Sequence, residues 1–153
     1  MPELFGNVPG NEVRFHHSTM YKLDDTAIIA IATPEIYQTV LGWTFGATSG
    51  SWTFQNGGEM VCGKAGLYLI LWHATVLCLD NKKVLTLVVM KNAAVFPTSR
   101  ASMSAGKNDL VGLSGSALRP LIVGDIVRLG IASDAVGDFV VKDAKMGLVR
   151  LDA

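Results

Sequence analysis

From Ala65 to Leu79 the chain carries no charged residue, and it is rich in aromatic, leucine and β-branched side chains. The stretch is too short for a membrane helix and reads as a strand. Successive side chains of a strand point to opposite faces. One face would hold Leu67, Leu69, Leu71, His73, Thr75, Leu77 and Leu79, the other Tyr68, Ile70, Trp72, Ala74, Val76 and Cys78. A strand on the outside of a sandwich alternates apolar with polar residues. Here both faces are apolar, and the neighbouring run Val84 to Met90 behaves in the same way. Either the chain itself covers the second face or another subunit does. With no helices to lay over it, another subunit is the expected cover.

Composition points the same way. Only 17% of the 153 residues are charged and half are apolar, against about 25% charged in an ordinary soluble domain. A chain so short of charge hides part of its outside against copies of itself or a partner. Its length fits one domain. The thirteen basic and thirteen acidic residues are scattered, so no basic stripe is available for a phosphate backbone and no nucleic-acid partner is expected. The start, Met1-Pro2-Glu3-Leu4-Phe5-Gly6, lacks the basic and apolar regions of a signal peptide. A soluble protein with no membrane contact is expected. Cys62 and Cys78 flank the long strand, beyond disulfide reach if it is straight, and read as buried free thiols.

Strand candidates are Thr26 to Ala32, Gly58 to Cys62, Leu67 to Leu79, Val84 to Lys91, Asp109 to Leu113, Ile126 to Ala132, Phe139 to Lys142 and Met146 to Leu151, with one more between Val40 and Phe54. The best helical signal is a short turn from Pro34 to Val40, opened by Pro34 and capped by Thr33. Asp80-Asn81-Lys82-Lys83 reads as a hairpin turn joining the two apolar strands. Strands with polar turns and almost no helix specify an all-β, antiparallel jelly-roll sandwich. Residues 21–153 form that domain. Residues 1–20 form an arm in which Leu4, Phe5, Val8, Val13 and Phe15 are interrupted by Gly6, Pro9 and Gly10, giving apolar contacts without a strand or helix period.

Several segments taken in order resemble a known family. Met60-Val-Cys-Gly-Lys-Ala-Gly66-Leu-Tyr68-Leu-Ile70-Leu-Trp72 resembles the signature of the complement-type globular head, within the tumour-necrosis-factor-like jelly rolls. Gly66, Tyr68 and Trp72 fit in kind, while Met60 and Ile70 replace aromatics. Val88-Val-Met-Lys-Asn92, a loop with Pro97-Thr-Ser-Arg100, Leu113-Ser-Gly-Ser116, Leu121 and Gly124-Asp125-Ile-Val127-Arg-Leu129 continue the likeness over residues 45–151. The last strand, Ala144 to Leu151, lacks the family's aromatics and suits a distant, phage-type branch. The resemblance implies a jelly roll of about ten strands and a compact homotrimer. Tyr68, Ile70 and Trp72 on one face and Leu67, Leu69, Leu71 and His73 on the other would then divide between core and threefold axis, in either order. Gly66 would allow a close backbone approach, and Asp125 would hold a turn.

Motifs that carry chemistry fall short. Gly58 to Ala65 approximates a phosphate-binding loop, but Ala65 stands where Mg²⁺ needs a hydroxyl and a strand follows where a helix should. Gly112-Leu-Ser114-Gly115-Ser116 misses the nucleophile elbow. His16 and His17 are adjacent on an extended segment and point opposite ways. His73 lies among apolar side chains, and only three copies meeting on an axis would bring it to an ion. Asp24-Asp25 and the Asp134, Asp138 pair lack the ligand count of a calcium site. No catalytic residue, cofactor or metal is expected. The preferred expectation is therefore a non-enzymatic virion-surface protein of a bacteriophage, a trimeric knob that decorates and cements a capsid through its arm. The alternative is a ligand- or receptor-binding head such as a tail-fibre tip or lectin-like module.

Overall fold

The computed structural model describes residues 16–49 and 51–152. Thirteen strands appear among them: β1 (His17–Lys22), β2 (Ile29–Ile31), β3 (Gln38–Thr39), β4 (Thr44–Phe45), β5 (Thr53–Gln55), β6 (Glu59–Val61), β7 (Gly66–Cys78), β8 (Lys83–Lys91), β9 (Ala94–Val95), β10 (Ala101–Ala105), β11 (Leu110–Leu121), β12 (Ile126–Ser133) and β13 (Gly137–Arg150). They exceed the expected ten because several span only two or three residues. All pairings are antiparallel. Sheet one has the order β11-β7-β13-β1-β4, with β2 also on β13. Sheet two has the order β10-β8-β12-β6-β5, with β3 on β12 and β9 on β8. The two sheets pack face to face as a jelly-roll sandwich.

The core lies between them. Tyr68, Ile70, Trp72, Ala74, Val76 and Cys78 of β7 point inward, all buried, and meet Leu85, Leu87 and Val89 of β8 with Val127, Leu129 and Ile131 of β12. Buried aromatic polar atoms find partners, as they must in a dry interior. The Trp72 indole donates to Ser99 O at 3.0 Å, Trp52 donates to the Tyr68 hydroxyl at 3.3 Å, and that hydroxyl donates to Lys64 O at 2.7 Å. Cys62 and Cys78 are free and buried, and burial pushes the Cys62 thiol above its ordinary range. Gly66 is crowded as expected: a Cβ there would collide with the Arg150 side chain and meet Asp152 Oδ1 at 2.7 Å.

Five readings of the sequence change. Among the described residues the only helical turn is Pro97–Ser99, not Pro34 to Val40. Glu35 takes a left-handed φ of 65° and its N–H donates to Ser133 O at 2.8 Å, so the segment reverses instead of winding on. Asp80 to Lys83 is no hairpin, because β7 belongs to sheet one and β8 to sheet two. The turn crosses the sandwich, where Asp80 Oδ2 accepts the Asp138 N–H at 2.8 Å. The candidates Phe139 to Lys142 and Met146 to Leu151 are one strand, β13, kinked by a bulge between Val141 and Asp143. β11 continues past Leu113 to Leu121, and Pro120 is tolerated because β11 is an edge strand. Finally, β1 places His17 to Met20 in sheet one, residues assigned by sequence to the arm; Met20 is wholly buried.

Candidate functional site

The outward side chains of sheet one form cross-strand rows set by register. Reading from β11 through β7 and β13 to β1, the first row is Leu118, Leu69, Val149 and His17. The second is Ser116, Leu71, Gly147 and Thr19, and the third is Ser114, His73, Lys145 and Tyr21. Small residues flank the leucines in the second row, so the face is hollowed into a groove of about 760 Å³ around Leu69, Leu71 and His73. Leu71 is 53% exposed on β7, inside the sheet, and Leu118 52% on the edge strand β11, while the other side of the sheet is core. Half-exposed leucines on adjacent strands form a patch of the kind that marks an interaction surface.

The strand singled out by sequence therefore separates cleanly. Tyr68, Ile70 and Trp72 belong to the core, while Leu69, Leu71 and His73 line the groove. Leu67 continues their row beyond it, opposite Pro120. Sequence reasoning did not connect the partners on other strands: Ser114, Ser116, Lys145, Gly147, Val149, His17 and Thr19. The Ser114–Ser116 stretch reads in sequence as a family feature and as a failed nucleophile elbow, and nothing local to Lys145 announces that it faces His73. The arm residues Leu4, Phe5, Val8, Val13 and Phe15 lie outside the described residues.

The groove's chemistry is one-sided. Among the described residues its titratable side chains are His17, His73 and Lys145, its hydroxyls are Thr19, Ser114 and Ser116, and no carboxylate lines it. It offers aliphatic contact and hydrogen-bond donors. Among the described residues no group of three or more His, Cys, Asp or Glu is placed to hold a metal ion. Of the acidic residues considered for calcium, Asp25 and Asp134 have structural partners. Asp25 takes the Lys22 ammonium at 2.7 Å, and that hydrogen bond holds its carboxyl below the usual range. Asp134 Oδ1 accepts the Val84 N–H at 2.9 Å. Asp125 holds its turn, accepting the Ile122 N–H at 2.9 Å and the Asn92 amide at 3.3 Å.

No family model matches the chain, and no curated protein matches it in sequence. Solved structures do match in shape. An Eiger TNF from S. frugiperda superposes with a TM-score of 0.62 at 14% identity, covering 90% of this chain and 93% of that one. Murine APRIL at pH 5.0 gives 0.57 at 14% identity, over 88% and 99% of the two chains. The globular domain of zebrafish complement 1qA gives 0.53 at 17% identity, over 90% and 98%. The architecture is that of the tumour-necrosis-factor and complement-head jelly roll.

Proposed function

We propose that the chain is a non-enzymatic binding head that works as a homotrimer closed through the outer face of sheet one. The observation that carries this reading is the groove around Leu69 and Leu71, an apolar surface that the chain's own described segments leave open. Covering a half-exposed leucine contributes about 1–1.5 kcal/mol per side chain, half of what burying a fully exposed one gives. Low charge and the shared architecture support the same assembly. Light scattering after gel filtration at micromolar concentration is expected to give three times the chain mass of 16.3 kDa. A stable, folded monomer would refute the trimer.

The finer reading is a structural protein of a virion, one that decorates and cements an assembled shell, with the arm as its anchor. The apolar side chains Leu4, Phe5, Val8, Val13 and Phe15 support it, because a segment without strand or helix period cannot bury them alone. Three arms on one trimer would engage neighbouring sites and gain strength through effective concentration. Since β1 begins at His17, the test is deletion of residues 2–15, which spares the sheet. The expected product is a soluble trimer that no longer binds undecorated shells. Full decoration by the truncated trimer would sink the anchoring role. Failure of the full-length protein to bind any shell would favour a ligand- or receptor-binding head.

A further inference from the structure

The groove floor poses an electrostatic problem once it is covered. His73 and Lys145 are directly paired across β7 and β13, with Ser114 on the other side of His73 and Tyr21 beyond Lys145. The other titratable groups on this face are His17, two rows away, and Asp143, one row further and opposite Thr75. Asp143 Oδ1 already accepts the Asp24 N–H at 3.1 Å. If the threefold axis passes this row, identical copies bring ammonium against ammonium, and among the described residues the groove lining contains no carboxylate to answer them. An uncompensated charge held in an interface is strongly destabilising.

We propose that the assembled face binds a small inorganic oxyanion of the phosphate or sulfate class at the row Ser114, His73, Lys145. The site is rich in donors: a lysine ammonium, an imidazole N–H and the hydroxyls of Ser114 and Ser116 can each donate to the acceptor oxygens of a tetrahedral anion, and charge-assisted bonds from the ammonium are the strong ones. Leu71, one row away, shields the site from water once a second copy covers it. The anion acts as a counter-charge that closes the assembly.

This inference rests on the trimer proposed above, so the experiment reads oligomeric state and anion response separately. Thermal unfolding of the full-length protein is followed in phosphate and in chloride at equal ionic strength and pH, with light scattering on the same samples. Phosphate is expected to raise the midpoint of the wild-type trimer by several degrees, since a ligand bound only by the assembled state stabilises it by mass action. Lys145→Met is expected to remain trimeric, to lose that shift, and to unfold higher than wild type in chloride. Ser114→Ala is expected to reduce the shift. A wild-type trimer that melts identically in both salts would overturn the anion site and leave the trimer standing. So would a shift retained in Lys145→Met. A monomer in both salts would overturn the two proposals together.

Discussion

β7 and β8 look alike in sequence, both apolar on two faces, yet the outer faces of their sheets have opposite fates. On sheet two, Val88 is 1% exposed and Met90 7%. Gly130 lies beside Val88 on β12, and a Cβ there would meet Met90 Sδ at 2.6 Å and the Tyr37 Cβ at 3.3 Å. The segment that turns at Glu35 thus lays Tyr37 over this face and ties itself to β12 through β3. Beside it, Arg128 Nη1 donates to Glu59 Oε2 at 3.1 Å. On sheet one no described segment covers the corresponding place, and Leu71 stays half exposed. An apolar second face therefore has two possible covers, and the expectation of a partner fails for β8, where the chain supplies the cover itself, and stays open only for β7.

The comparison breaks most visibly under a buried charge. Val88→Asp is expected to cost several kcal/mol, because an unpaired carboxylate enters a dry site within one chain, and to abolish cooperative folding by circular dichroism. Leu71→Asp and Leu69→Asp are expected to leave a folded chain and dissolve the trimer, read as a fall to monomer mass with strand signal retained. If Leu71→Asp unfolds the chain while Val88→Asp folds, the assignment of the two faces is reversed. A smaller effect sharpens the self-covered side. Glu59 accepts from Asn56 at 2.7 Å, from Gln55 at 3.1 Å and from Arg128, and these hydrogen bonds, Asn56 foremost, lower its carboxyl below the ordinary value of 4.5. A depressed carboxylate contributes stability that is present above the unfolded value and is lost as pH falls through the folded one. Glu59→Gln is expected to cost about 1–3 kcal/mol at neutral pH and to flatten the loss of stability below pH 4.5 in denaturant titrations followed across pH. An unchanged acid limb would show that Glu59 carries none of it.

How far the sequence reaches can be judged from particular strands. The two faces of β7 were legible because alternation is a property of the strand itself. Which face is core was not, since that depends on where β8 and β12 lie. β1 was missed: His-Ser-Thr-Met-Tyr-Lys carries polar residues in inward positions, and only the structure shows Ser18 buried with its hydroxyl on Met60 Sδ at 3.2 Å, and Lys22 buried against Asp25 and Leu41 O. β11 was cut short because its serines and glycines have low strand propensity, and edge pairing to β7 overrides that. The two halves of β13 looked separate because Lys142, Asp143 and Lys145 resemble a polar turn, whereas they span a bulge. The groove needed the register of four strands at once, and His73 beside Lys145 joins residues that no local pattern links.

The place of β13 in sheet one also governs when this molecule can come into being. It sits between β7 and β1, so the last of the described strands to leave the ribosome is the middle one of its sheet. His17 pairs with Val149 and Ile70 with Leu148, contacts that close loops spanning much of the chain. Such a topology folds slowly, because the entropy of long loops must be overcome before any pairing rewards it. During synthesis β7 waits without its central partner, and its sheet cannot close until β13 has emerged. Nascent chains held a few residues short of β13 should therefore be the species most prone to aggregate, and a chaperone that shields β7 would act before β13 emerges rather than after it.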